Sequence, residues 1–176
     1  MKTFLRLSLL FCSLGHALAF AGADTPEARL QAAGIILPEV PAAIANYVPA
    51  VRSGNLVFLA GQVPKGADGK FITGQVGTDL TIEEGAAAAR ICAIQLIAAL
   101  KAEVGDLAKV KRIVRVGGFV NCPEGFTAQP KVVNGASDLL VEIFGEAGRH
   151  ARAAVGVSSL PAGVPVEVEL IAEVAD

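Results

Sequence analysis

Residues 81–104 set the tightest limit on how this chain folds. Thr81-Ile82-Glu83-Glu84 is a capping box, in which a threonine hydroxyl and a glutamate carboxylate each satisfy a stray backbone donor at a helix start. Gly105 supplies the stop. Between them apolar residues run nearly all round the predicted helix, so most of its surface must be covered, and its many alanines allow it to lie close against a sheet.

That sheet has to come from the remaining strand-like runs. Residues 45–52 and 56–60, separated by Ser53-Gly54-Asn55, read as a hairpin whose second strand ends at Gly61. Residues 109–121 read as one long strand. Residues 130–144 carry Val132, Val133, Ala136, Leu139, Leu140 and Ile143 at helical spacing and stop at Gly145, which predicts a second helix. Residues 151–157 and 166–171 read as two short strands, and the turn residues Ser158 to Gly163 between them predict a second hairpin. A short amphipathic segment over 25–33 ends at Gly34. The Gly-rich loop 65–70 lacks the first glycine and the closing Ser or Thr of a phosphate cradle and reads as a plain turn. Strands, helix, strand, helix, two strands is the order of an α+β domain with both helices on one face of a mixed sheet. The other face is left bare, and its simplest cover is a second copy of the chain.

The N-terminus reads as something apart from the domain. Lys2 and Arg6 precede an apolar run, Leu7 to Leu14, too short to span a bilayer as a helix, and Ala17-Leu18-Ala19 is a small-x-small cleavage pattern. Residues 1–23 are therefore expected to contain a signal peptide, cut after Ala19, Ala21 or Ala23, with residues 24–176 as the domain and a periplasmic or secreted product. Without Lys2 and Arg6 the fifteen basic residues fall to thirteen against seventeen acidic ones, a net charge of −4. An acidic chain with no Trp and one Tyr lacks the basic face and stacking aromatics of a nucleic-acid binder. His150 is the one histidine outside the leader, which leaves no donor set for most zinc sites and no two-histidine acid–base pair. Neither a metal nor a cofactor is expected. Cys92 and Cys122 are expected as two buried free thiols without a reactive-site pattern.

Arg152 is the oddity of the C-terminal region, a guanidinium set among Ala151, Ala153 and Ala154 on a predicted strand. Two readings stand side by side. It pairs across the strands with Glu167 or Glu169, as many strand arginines do, or it is a rigid fork for a small carboxylate. Asn134 beside Gly135 is unfavourable inside a helix and calls for a packing or ligand reason. Tyr47, the single tyrosine, fits either a pocket or an interface. His150, just before a strand, fits a surface or capping role better than that of a general acid.

Several segments taken in order resemble the reactive-intermediate deaminase family, also called Rid or YjgF. They are Tyr47 with Pro49-Ala50-Val51, the run from Gly54 to Pro64, Gly118-Phe119-Val120-Asn121, and Ala151-Arg152 through Leu160-Pro161 to Val166-Glu167-Val168-Glu169. The stretch from Pro130 to Leu139, with Phe144-Gly145-Glu146 and His150, is similar to a divergent branch of the family, which the leader would make an exported one. The resemblance implies a chorismate-mutase-like trimer with pockets between subunits, and hydrolysis of enamines and imines to 2-oxo acids and ammonia. It further implies that Arg152 grips the substrate carboxylate, the main-chain carbonyls of Gly61 and Ala154 receive the imine nitrogen, Glu167 holds the attacking water, and Tyr47 and Asn134 close the pocket. Two positions depart from the family's active members, which carry a serine at Ala60 and often a cysteine at Ala154. These departures leave open a non-catalytic carboxylate binder or chaperone-like trimer, and the acidic charge ranks the family's endoribonuclease label last.

Overall fold

The computed structural model describes residues 24–40 and 46–175, so the expected leader lies outside the described residues. Five strands form one sheet in the order β1-β2-β5-β3-β4, where β1 is Ala50–Ser53, β2 Leu56–Gln62, β3 Val110–Asn121, β4 Ala151–Val157 and β5 Val166–Val174. Helices α2 (Ile82–Val104) and α3 (Gln129–Phe144) cover one face, and the short α1 (Pro26–Ala32) packs beside α3. This is the mixed α+β architecture expected from the order of elements.

The capping box forms as read: the Thr81 hydroxyl accepts from the Glu84 amide at 3.1 Å, and the Glu84 carboxylate accepts from the Thr81 amide at 2.8 Å. Gly105 ends the helix with φ +79°, a left-handed conformation a side chain would strain. By length and composition α2 would suit a membrane span, yet Ala88, Ala89, Cys92, Ala93, Leu96, Ile97 and Leu100 are buried in the core. They meet the inner-face rows Val57 and Leu59 of β2, Ile113, Val116 and Val120 of β3, and Val166, Val168, Leu170, Ala172 and Val174 of β5. The alternation in β5 is complete: every second residue is buried.

Two expectations about strands need correction. The first strand begins at Ala50, five residues later than the expected 45, and Tyr47 lies ahead of it in irregular, exposed chain. Pro49 explains the late start, because it has no N–H to give a ladder. The larger correction concerns the predicted hairpin between β4 and β5, which does not form. β4 runs parallel to β3, with Val116 opposite Arg152, and β5 pairs antiparallel with β3 on its other side, with Val116 opposite Leu170. The reason is the crossover: β3, α3 and β4 make a β-α-β unit, whose helix returns the chain to the same end of the sheet so that β4 must run parallel. Residues 158–165 then carry the chain past the end of β3 to its far side.

The first hairpin does form, β1 antiparallel to β2 with Gly54, φ +60°, opening a two-residue turn. Toward its other end β2 has an irregularity: Leu59 faces Leu170 while Gln62 faces Val168, so Ala60 and Gly61 share one position opposite β5.

Candidate functional site

Registers decide which of the expected residues share a face. Arg152 stands opposite Val116, which is buried under the helices, so it lies on the helix-bearing face at the sheet edge. Glu167 alternates with buried Val166 and Val168 and stands opposite Phe119, so it points to the bare face. The two residues are also two strands apart, about 10 Å of lateral spacing. Within one chain they do not meet. The expected residues instead fall into two groups.

The first group surrounds Arg152. Its Nη1 donates to Asn134 Oδ1 at 2.8 Å and to Ser137 Oγ at 3.0 Å, both on α3. An η nitrogen carries two hydrogens, so both are used, while Nε–H and the Nη2 hydrogens have no partner among the described residues. Those two nitrogens share the side-on edge that meets a carboxylate with two parallel hydrogen bonds. The cross-strand pairing considered for Arg152 is absent: Glu169 pairs with Arg115 at 3.4 Å, and Glu167 faces away. His150 completes this group. Its Nδ1 lies 2.6 Å from the Gly148 carbonyl and its Nε2 3.1 Å from Ser137 Oγ. Burial chiefly, opposed by the Gly148 hydrogen bond and helped by the nearby Arg152 charge, lowers its pKa below the ordinary histidine value and favours the neutral ring.

Glycines let α3 approach closely enough to make these contacts. A Cβ on Gly118 of β3 would meet Val133 Cγ2 at 2.5 Å, and one on Gly135 would overlap the Ala86 carbonyl of α2. Asn134-Gly135 thus has a structural reason: the asparagine accepts from Arg152, and the glycine lets the two helices pack closely. Ala154, opposite Gly118, packs on the core beneath. It sits two residues from Arg152 on β4, an edge strand with one unpaired side.

The second group gathers around β2: Gly61 and Glu167 meet on the other face, and Tyr47 lies apart from Glu167, toward α2. Gly61 stands over Glu167 so closely that a Cβ there would overlap Oε1. Burial first and the neighbouring Glu169 second raise the Glu167 carboxyl above the ordinary carboxylate range. Tyr47 and the Gly61 backbone help line a groove of about 730 Å³ on the helix side of β2, which runs along Gln62, Lys65 and Phe71 to Ile91 and Ile94 of α2 and does not include Glu167. Ala60 contributes no hydroxyl here, and its carbonyl accepts from Gln62 Nε2 at 3.2 Å.

Cys92 and Cys122 are free and buried, as expected, and burial pushes the Cys92 thiol far above its ordinary value. No cluster of three or more His, Cys, Asp or Glu side chains suited to a metal occurs among the described residues. Ser137 was not anticipated from the sequence. With Asn134 it places two polar groups three residues apart on a helix that also carries Lys131, Asp138 and Glu142, so nothing local set it apart from ordinary surface.

The comparisons with known proteins agree with this architecture. A protein of unknown function from Agrobacterium tumefaciens superposes with a TM-score of 0.79 at 44% identity, covering 86% of this chain and 95% of its own. A structure described as a putative endoribonuclease from Shewanella oneidensis gives 0.81 at 44% identity, covering 85% and 99%. Protein TCP17 of Trypanosoma cruzi is 50% identical over 147 residues, 83% of this chain and 92% of its own length. The profile described as "YjgF/chorismate_mutase-like, putative endoribonuclease" matches residues 27–174, and the chain belongs to that YjgF family.

Proposed function

We propose that this protein is a hydrolytic deaminase of small enamines and imines, releasing 2-oxo acids and ammonia at a site completed between copies of the chain. The observation that carries the reading is the state of Arg152: one nitrogen tied down by α3 and, among the described residues, neither an ion pair nor a partner on its carboxylate-binding edge. The substrate carboxylate docks on that edge. Its imine carbon then faces a water held by Glu167, whose raised pKa makes it a better proton acceptor than an ordinary carboxylate. Water oxygen bonds to the imine carbon as the C=N electron pair moves to nitrogen, the water proton passes to Glu167, and nitrogen takes a proton from solvent. Glu167 then returns its proton to the carbinolamine nitrogen, the hydroxyl loses its proton to solvent as C=O forms, and the C–N bond breaks to free ammonia. An imine is already electrophilic, so positioning supplies much of the rate.

Because Arg152 and Glu167 lie on opposite faces, the reaction needs Arg152 of one copy beside Glu167 of another. Val51, Phe58 and Val155, each 42% exposed or more, lie on the bare face in register with Ile171 and Phe119, and this apolar patch, beside the charged Glu167, Glu169 and Arg115, supports a partner there. A homotrimer, the assembly implied by the family, meets that need. Ala60 supports a second reading, a carboxylate binder that turns over poorly, since a hydroxyl donor is missing from the pocket wall. Incubation with 2-iminopropanoate generated in situ separates the two: accelerated loss of the imine supports the deaminase, while pyruvate binding without acceleration supports the binder.

A further inference from the structure

We infer that Ser137 and His150 are positioning residues for Arg152, a relay that holds the guanidinium with its carboxylate-binding edge turned outward. This rests on the proposed reading of Arg152 as the substrate's anchor and adds to it a device that keeps the anchor still.

Donors and acceptors along the relay can be assigned in one direction only. The Gly148 carbonyl can only accept, so the 2.6 Å contact places the hydrogen on Nδ1 of His150. In the neutral ring Nε2 then carries a lone pair and accepts the Ser137 hydroxyl hydrogen across 3.1 Å. With its own hydrogen committed, Ser137 Oγ faces Arg152 as an acceptor and takes one Nη1 hydrogen at 3.0 Å. Asn134 Oδ1 takes the other at 2.8 Å. Two acceptors on one nitrogen fix both the position and the plane of the guanidinium, whereas one would leave it free to turn about a single contact.

The surroundings explain why such a device is needed. Arg152 is exposed on an edge strand, with alanines on both sides that cannot restrain it by packing. A long side chain in that position keeps its rotamer freedom, and docking a ligand would have to remove it. His150 is half-buried and anchored at the end of the 3-10 turn Gly145–Gly148, a rigid support the arginine lacks. The serine passes that rigidity on.

Two measurements on the purified protein test the inference. In the ligand-free state, 15N relaxation of the Arg152 Nε–H group should report an ordered guanidinium. Order should fall in Ser137→Ala and His150→Ala, and return in Ser137→Thr, which restores the hydroxyl, and in His150→Gln, which restores an acceptor. Calorimetric titration with pyruvate should follow the same pattern: about fivefold weaker binding in the two alanine variants, the worth of one neutral hydrogen bond, and recovery to within about twofold in the conservative ones. Melting curves run alongside identify any variant that is merely unfolded. Unchanged Arg152 order and unchanged affinity in folded Ser137→Ala would overturn the inference and leave the deaminase reading untouched. Wild-type protein with an ordered Arg152 but no affinity for pyruvate would overturn the carboxylate anchor itself, and the ligand-positioning role with it.

Discussion

Arg152 commits both hydrogens of one nitrogen to α3 and keeps a fork, and this division makes its chemistry testable by substitution. Arg152→Ala should weaken pyruvate binding by about 1.5–3 kcal/mol, more than tenfold, as expected for charge-assisted hydrogen bonds. Arg152→Lys should not restore it, because an ammonium has no planar fork. Titration calorimetry on the three proteins decides the matter, and equal affinities would end the anion-fork reading. Glu167 belongs to a different step. Glu167→Gln should retain pyruvate affinity and slow imine hydrolysis by about a hundredfold or more, the usual worth of a general base. Since burial and Glu169 raise its pKa, the basic form is reached only at higher pH than for an ordinary carboxylate. The acid limb of the wild-type rate profile should therefore sit above the usual carboxylate range, and a pH–rate series should find that limb gone in Glu167→Gln. Of the site residues, Arg152 was conspicuous in the sequence because a charge among alanines has no packing reason to be there. Ser137 was not, because a serine on a helix rim looks like ordinary surface until its partners are in place.

Among the elements, α2 and α3 were legible nearly to the residue: a capping box, a glycine stop and a 3.6-residue period are local signals, and helix hydrogen bonds are local too. Their mutual packing was not legible in the same way, since it depends on a glycine of one helix meeting the backbone of the other. Gly135→Ala tests that contact. Alanine is normally the better helix former, but here its Cβ would overlap the Ala86 carbonyl, so overpacking should outweigh propensity and cost about 1–3 kcal/mol. Urea denaturation would measure the loss, and a stabilised Gly135→Ala would show that the helices are not held so close. Thr81→Ala is the contrasting case, a purely local one. It removes the N-cap hydroxyl and should lower stability by about 1 kcal/mol, with the helix retained by circular dichroism.

At the scale of the whole molecule, one chain carries Arg152 and Glu167 on opposite faces of its sheet. If copies complete each other, Arg152→Ala and Glu167→Gln proteins, each poorly active alone, should regain activity when co-expressed. About a quarter of the pockets would then combine an intact Arg152 from one chain with an intact Glu167 from another. Light scattering should give a trimer, and no gain on co-expression would show that the two residues do not share a pocket. Export is a separate proposal: N-terminal sequencing of the product should begin between Phe20 and Asp24, and an intact Met1 on the major species would refute it. The residues alone determined the helices and most strand positions, the bareness of one sheet face and the candidacy of Arg152, because each follows from periodicity, capping or composition within a short window. Only the tertiary structure decided that β4 pairs in parallel with β3 rather than folding back as a hairpin with β5. Strand pairing is a contact between distant segments, set here by the α3 crossover and paid for in loop closure, so no local pattern encodes it. With that pairing Arg152 and Glu167 lie on opposite faces, which is why the proposed reaction draws them from two copies of the chain.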